Sequence, residues 1–304
     1  MHDIIIVGGG PAGLTAAIYA LRAGKSVLVI EKAGFGGQIA FSPKVENIPG
    51  FGMIAGAEFA DKLAEQAINL GAEMEMECVT GVEKTADGFT VTTEEGSSFA
   101  GKAIILANGV KHRTLGLEGE QELIGKGISF CAVCDGAFYT GQDTAMIGGG
   151  NSALQEALLL SEVCRSVTVV QNLPTFTGEQ KLADALMEKE NVRVLFSTVV
   201  SAYEAKDGQL TGLKLHNDAT GEDSEITVDG AFLAVGLQPE NENFAHLVGL
   251  NEYGYYDVNE FCASKTPGVF VAGDCRSKFI RQVVTAAGDA AIAAMGACRY
   301  LDAL

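Results

Sequence analysis

The sequence predicts an α/β protein made of two doubly wound, three-layer domains of the Rossmann-like dinucleotide-binding type, the second inserted into the first. Three observations carry this expectation. A β-branched run at 3–7 enters the turn Gly8-Gly9-Gly10-Pro11-Ala12-Gly13 and then a small-residue helical stretch at 14–23. The same plan recurs from 143–147, through Gly148-Gly149-Gly150-Asn151-Ser152-Ala153, into a helix that reaches residue 160. Two breaker-rich crossings separate these units, one near Gly109 and one at Gly236-Leu237-Gln238-Pro239.

The remaining elements follow from local pattern. A strand at 26–30 ends in Glu31 and completes the first half-unit. Phe59, Leu63, Ala67 and Leu70 recur at helical spacing across 58–70, and stretches at 73–78, 89–93 and 102–106 alternate like strands. Ala107-Asn108-Gly109 closes that run as a turn. After the second glycine turn come a strand at 166–170, a helix at 179–189 and short strands up to Val235. A buried-type strand at 268–272, Gly273-Asp274 and an alanine-rich helix at 282–301 finish the chain. The first domain is therefore expected at 1–112 plus 242–304, and the inserted one at 113–241.

Composition excludes several functions. With 39 acidic against 21 basic residues the formal charge is −18, which repels nucleic acid and anionic lipid, so neither is an expected partner. No apolar run approaches the roughly eighteen residues of a membrane span, and Met1-His2-Asp3 enters a strand without a charged leader. The seven cysteines, an odd and scattered set, suit a reducing compartment, and a cytoplasmic location is expected.

In the first glycine turn, Gly8, Gly10 and Gly13 let the backbone approach a pyrophosphate at a helix N-terminus. Glu31 follows Gly13 by eighteen residues, where an acidic side chain meets a ribose 2′-hydroxyl. The plainer reading, a glycine-rich turn without a ligand, does not call for strand, helix and acid together. Two such turns imply two dinucleotides, and a flavin plus a nicotinamide is the usual reason for having both. FAD is expected at the first.

Cys131-Ala132-Val133-Cys134-Asp135 is the one cysteine pair with a telling spacing. A disulfide across two residues closes too small a loop to restrict the unfolded chain much, so it makes a poor structural staple. Metal binding, redox cycling and inert burial are the alternatives in a reducing compartment. Zinc needs two more ligands at recognisable spacing, and with four histidines and no second C-x-x-C none is supplied, so no metal is expected. A dithiol beside two nucleotide turns points to flavin-dependent disulfide reduction.

Taken together, Gly8 to Ala20, Gly36-Gly37-Gln38, Val45-Glu46-Asn47, Cys131 to Gly136, Gly148 to Ala153, Ala272-Gly273-Asp274 and Arg281-Gln282 to Gly288 resemble the low-molecular-weight bacterial thioredoxin reductases. The likeness spans nearly the whole chain. Its most specific part is the dithiol inside the inserted domain, since the larger glutathione-reductase type carries its cysteines just after the first fingerprint. The resemblance implies a homodimeric, FAD-dependent thioredoxin-disulfide reductase whose partner is thioredoxin or a thioredoxin-like protein. It implies that Gly8, Gly10, Gly13 and Glu31 hold the adenosine half of FAD, with Pro11, Ala12 and Lys32 beside them. Gln38 and Asn47 would meet the flavin side, and Asp274, Arg281 and Gln282 the ribityl and isoalloxazine region, with Gly37, Ala107, Gly109 and Gly273 as further contacts. Gly148, Gly150, Asn151, Ser152 and Ala153 would cradle a pyridine nucleotide, NADH or NADPH. Cys134 would face the flavin, Cys131 would attack the partner's disulfide, and Asp135 would protonate the departing thiolate; a turn cap is the plainer reading of Asp135. The two crossings would let the inserted domain rotate between half-reactions.

One segment departs from the family pattern. NADPH-linked members usually carry H-R-R-x-x-x-R after the second strand of the inserted domain, whereas this chain has Val169-Val170-Gln171-Asn172-Leu173-Pro174-Thr175-Phe176. Between Ser166 and Glu179 there is no lysine, arginine or histidine to meet a 2′-phosphate, so NADH is favoured over NADPH. Gln171 or Asn172 could bond a ribose hydroxyl. Ferredoxin as the electron donor is the alternative, and a non-catalytic redox-sensing flavoprotein is the reading from another class. A flavoprotein partner of a peroxidase would need an added N-terminal dithiol domain, for which the fingerprint starting at Gly8 leaves no room.

Overall fold

The computed structural model describes residues 1–42 and 45–304. Their backbone divides into two compact units, one from within Met1–Pro43, Ile48–Lys111 and Gln238–Leu304, the other from within Lys44–Asn47 and His112–Leu237. The first unit begins with β1 (His2–Val7), α1 (Pro11–Arg22) and β2 (Val27–Ile30). It continues through α2 (Gly56–Asn69), β3 (Glu73–Glu75), β4 (Val79–Lys84), β5 (Phe89–Thr93) and β6 (Ser98–Leu106). The chain then crosses along β7 (Val110–His112).

The second unit holds α3 (Glu120–Leu123), β8 (Ile128–Ser129), α4 (Ala132–Asp135), β9 (Asp143–Ile147), α5 (Asn151–Val163) and β10 (Ser166–Val170). After these come α6 (Gln180–Met187), β11 (Val192–Leu195), β12 (Thr198–Lys206), β13 (Gln209–Asn217), β14 (Glu222–Thr227) and β15 (Gly230–Leu233). The chain returns along β16 (Leu237–Pro239), which pairs with β7, and the first unit closes with α7 (Ala245–Val248), β17 (Val269–Val271) and α8 (Val283–Asp302).

Each unit is organised on a parallel core. In the first, the order is β3-β2-β1-β6-β5-β4, with β17 also on β6; β1, β2, β3, β6 and β17 run parallel, while β4 and β5 form an antiparallel extension. In the second, the order is β11-β10-β9-β15-β8, all parallel, with a separate antiparallel sheet β12-β13-β14. Parallel strands covered on both faces read as unbroken apolar runs. So Ile4 and Ile6 of β1 pack among the alanines of α1 and α8, while Ile5 and Val7 pack on the other face with Leu28, Ile104 and Phe89. Met146 of β9 likewise packs with Leu154 and Leu160 of α5, and Ala145 and Ile147 with Leu213 and Leu233.

The strand-to-helix turns fix where each unit can meet a ligand, because there the backbone comes too close to itself for a side chain. Gly8 has φ +107, and a Cβ there would lie 2.3 Å from the Ala107 carbonyl oxygen. Gly148 repeats this with φ +133 and 2.5 Å to the Ala234 oxygen. At Gly13 a Cβ would fall 1.8 Å from the Gly8 oxygen, so α1 can rest on β1 only without one.

Gly13→Ala must therefore open this turn and is expected to cost roughly 1–3 kcal/mol of stability. Gly288→Ala, inside α8 with nothing within 4 Å of the added methyl, should be neutral or gain up to about 1 kcal/mol from helix propensity. Urea denaturation of both variants checks this, and equal stabilities would contradict the packing argument.

Candidate active site

Cys131 and Cys134 are joined in a disulfide, their Cα atoms 5.3 Å apart. Strand β8 delivers them. Its buried Ser129 stands two residues ahead of Cys131, which leaves the strand with extended backbone and caps α4. The Cys134 N–H points at the Cys131 Sγ from 3.2 Å, so an amide already faces the sulfur on which a thiolate would form. Val133, between the two cysteines, is 55% exposed, Ala132 is buried, and the two cysteines are partly exposed.

One hydroxyl ties the cysteine to the neighbouring acid. Ser129 Oγ accepts the Cys131 N–H at 3.1 Å and donates to Asp135 Oδ2 at 2.6 Å. Asp135 Oδ1 is buried without a hydrogen-bond partner. Burial pushes the Asp135 carboxyl above its usual range, and the Ser129 bond opposes the shift. On α5, Glu156 Oε2 accepts the Ala132 N–H at 2.9 Å; burial pushes its carboxyl up to about 7, the Ala132 amide opposing and the Asp135 charge adding. Ser129 and Glu156 did not figure among the expected site residues. The other cysteines stand apart: Cys164, Cys262, Cys275 and Cys298 are buried free thiols whose pKa values burial pushes up, so they are poor nucleophiles.

Gly8, Gly10, Gly13, Glu31, Gly37, Gln38, Ala107, Gly109, Gly273, Asp274, Arg281 and Gln282 all belong to the first unit. Gly10 caps α1 without any side-chain bond, and Pro11 occupies the first helical position. Glu31 Oε2 accepts the Gly9 N–H at 2.7 Å, holding the strand end against the turn. The Gln38 amide donates to the Val110 carbonyl. Arg281 lies over the Tyr255 ring, 4.1 Å from its centre, and its Nε donates to the Asp274 carbonyl; Gln282 caps α8 in a reciprocal box with Thr285. Asp274 Oδ1 is buried with no hydrogen-bond partner. A turn with no room for side chains and a buried carboxylate oxygen that has no hydrogen bond, with the Lys278 ammonium 4.0 Å away, fit a dinucleotide with a polyhydroxyl arm. Lys32 and Asn47 are the two remaining expected contacts. The Lys32 ammonium pairs with Glu240, which also binds Lys111, and Asn47 groups with the second unit.

In the second unit Gly150 caps α5 as Gly10 caps α1, and Gly148, Asn151, Ser152 and Ala153 surround that turn. Asn151 Oδ1 accepts the Glu179 N–H at 2.6 Å, and the Gly149 carbonyl accepts the Thr177 N–H at 2.9 Å, folding the loop after β10 back toward the turn. Gln171 takes the position that Glu31 has in the first unit, at the end of the second strand. Its amide, however, turns inward, donating to the Thr175 carbonyl at 3.1 Å, and the residue is buried. Asn172, the next residue, is exposed.

Two dinucleotide-type turns and a C-x-x-C disulfide define a flavoprotein disulfide oxidoreductase. The model of the pyridine nucleotide-disulphide oxidoreductase family matches residues 2–290. The thioredoxin reductase of Bacillus subtilis is 38% identical over 306 aligned positions, covering 100% of this chain and 96% of that protein. A bifunctional thioredoxin reductase/thioredoxin of Mycobacterium leprae is 40% identical over 99% of this chain and 66% of its own length. The crystal structure of thioredoxin reductase from Streptococcus pyogenes matches with a TM-score of 0.94 at 36% identity, covering 100% of this chain and 99% of that one. This chain belongs to the low-molecular-weight thioredoxin reductases.

Ser129→Ala removes the bond that opposes the Asp135 shift, so the Asp135 pKa should rise further. A carboxyl titrating higher in the folded than in the unfolded chain loses stability as pH rises from its unfolded value of 3.8 through its folded one. The variant's deficit should therefore grow as pH rises from about 3.8 through the raised folded pKa of Asp135, reaching on the order of 1–3 kcal/mol. Urea denaturation at both ends of that range checks it, and a deficit independent of pH would contradict the assignment.

Proposed function

We propose that this chain is a thioredoxin-disulfide reductase in which Cys131 attacks the disulfide of thioredoxin or a thioredoxin-like protein and Asp135 supplies the proton. The observation that carries the reading is the partly exposed Cys131–Cys134 disulfide at a short helix, with a carboxyl of raised pKa tied to it through Ser129. FAD would be held by the turn at Gly8, Gly10, Pro11, Ala12 and Gly13, with Glu31, Gln38, Ala107, Gly109, Asp274, Arg281 and Gln282 around it. When bound, the flavin supplies the two electrons that open the Cys131–Cys134 disulfide.

In the reduced protein the Cys131 sulfur, as thiolate facing the Cys134 N–H, attacks one sulfur of the partner's disulfide and forms a mixed disulfide. The partner's other sulfur leaves as a thiolate and takes the proton held on Asp135. The Cys134 thiol then gives its proton to the ionised Asp135, its sulfur attacks Cys131 Sγ, and the partner's second sulfur leaves as a thiolate, which restores the Cys131–Cys134 bond. The bifunctional relative, in which reductase and thioredoxin are named together, supports the choice of partner. No helix among the described residues is long and apolar enough to cross a membrane, and free buried thiols suit a reducing cytoplasm.

For the electron donor we propose NADH over NADPH. The glycine turn at 148–153 supports a pyridine nucleotide, while the 166–179 segment offers no cation to a 2′-phosphate. The same lack of a cation, with Gln171 turned inward, supports ferredoxin as the second reading.

Asp135→Asn should slow thioredoxin reduction by roughly 10²-fold with flavin content unchanged, and the wild-type rate should fall as pH rises through the raised Asp135 pKa; full activity of the variant would remove the acid role. Stopped-flow bleaching of the flavin should be faster with NADH than with NADPH. Bleaching by reduced ferredoxin alone would transfer the assignment to the second reading.

A further inference from the structure

Glu156 has no part in the reaction just described, yet it stands where the dithiol's protons are handled. It lies on α5, one helical turn past Ala153, on the side that packs against α4. Its Oε2 accepts the N–H of Ala132, the residue directly after Cys131. The amide on the Cys131 sulfur itself is that of Cys134. Asp135, at the other end of the same four-residue helix, is the second carboxyl, and two such groups in poorly solvated surroundings oppose each other's ionisation.

We propose that Glu156 is a positioning residue of the dithiol, fixing the backbone beside Cys131 through the Ala132 amide and setting, by its own charge, how readily the Cys131 sulfur is held as a thiolate. This rests on the reading of Cys131 and Cys134 as a redox pair. Burial pushes the Glu156 carboxyl up to about 7, so it changes charge within the range where thiol exchange operates. The titratable groups on elements packed against α5 are Cys134 and Asp135 of α4, Tyr139 just beyond it, Asp143 of β9, and Lys181 and Asp184 of α6, with Glu162 on α5 itself. Asp143 is paired with Arg165 and Glu162 with Lys189; Asp135 is the one that raises the Glu156 pKa by its charge. An ionised Glu156 thus opposes negative charge on Cys131, and a protonated one does not.

The test uses the FAD-loaded protein and dithiothreitol, so that neither the natural donor nor thioredoxin enters. Dithiothreitol gives two electrons to the Cys131–Cys134 bond and becomes a cyclic disulfide; one of its protons goes to the Cys134 sulfur, and the other to solvent or to Glu156. The reduced fraction is read by alkylation and mass measurement across graded dithiothreitol, from about pH 5 to about pH 9. Glu156→Gln keeps an oxygen for the Ala132 N–H and removes the titration. Its reduction equilibrium should coincide with wild type at the acid end and favour the dithiol by roughly tenfold above neutrality. Coincidence at every pH, or an offset independent of pH, overturns the proposal. The wild-type curve is a test in itself: without a bend near pH 7 the proposal fails whatever the variant does. A wild-type disulfide that dithiothreitol cannot open would overturn the redox reading together with it.

Discussion

Backbone packed against backbone at the two glycine turns is the constraint on which the structure depends. The Gly8 carbonyl fills the space a Gly13 side chain would need, and the Ala107 carbonyl fills that of Gly8. Because of this, α1 starts directly over the end of β1 with its first amides uncovered by any side-chain cap. The second unit repeats the arrangement with Gly148 against Ala234 and an uncapped α5. A ligand with a negatively charged bridge is what such a turn can hold. The two units diverge at the next strand end, where Glu31 anchors its turn through the Gly9 amide and Gln171 folds in on its own loop. That divergence lies where dinucleotides are told apart.

The same second unit carries the dithiol on the strand β8, at the edge of its parallel sheet. Both carboxyls beside the dithiol helix owe their raised pKa values first to burial. Their neighbours are amides and a hydroxyl: Ser129 for Asp135, Ala132 for Glu156. Such surroundings favour the protonated carboxyl over fixed charge, which suits a thiol–disulfide exchange in which each sulfur gains or loses a proton as it changes partner.

Much of this was legible in the sequence, because the long elements obey simple rules. Ile4–Val7 and Ala145–Ile147 are apolar runs that lead into glycine turns, and both lie in central parallel strands. Helices expected at 14–23, 58–70, 179–189 and 282–301 occur within three residues of those bounds. The alternation across 73–78 predicts one strand, but only Glu73–Glu75 pairs, on the edge of the sheet, and β4 begins at Val79. The four-residue α4 and the ribbon of β7 with β16 are too short to leave a periodic signature. Ser129 and Glu156 escaped because each acts through a backbone amide rather than a motif. A faint signal existed for Glu156, a lone acid beside Ala153, Ala157 and Leu160 on the buried side of its helix. The inward turn of Gln171 depends on where the loop after β10 folds, which residue identity alone does not fix.

Whether Cys131 and Cys134 share electrons with a bound flavin is tested most directly by counting reducing equivalents. Anaerobic titration of the FAD-loaded protein with dithionite, followed by flavin absorbance, should consume two electrons for the disulfide and two for the flavin. The C131S/C134S double variant should then need half as many as wild type. Equal uptake by the two proteins would mean that the sulfurs take no part in the flavin's redox cycle, and would contradict the account.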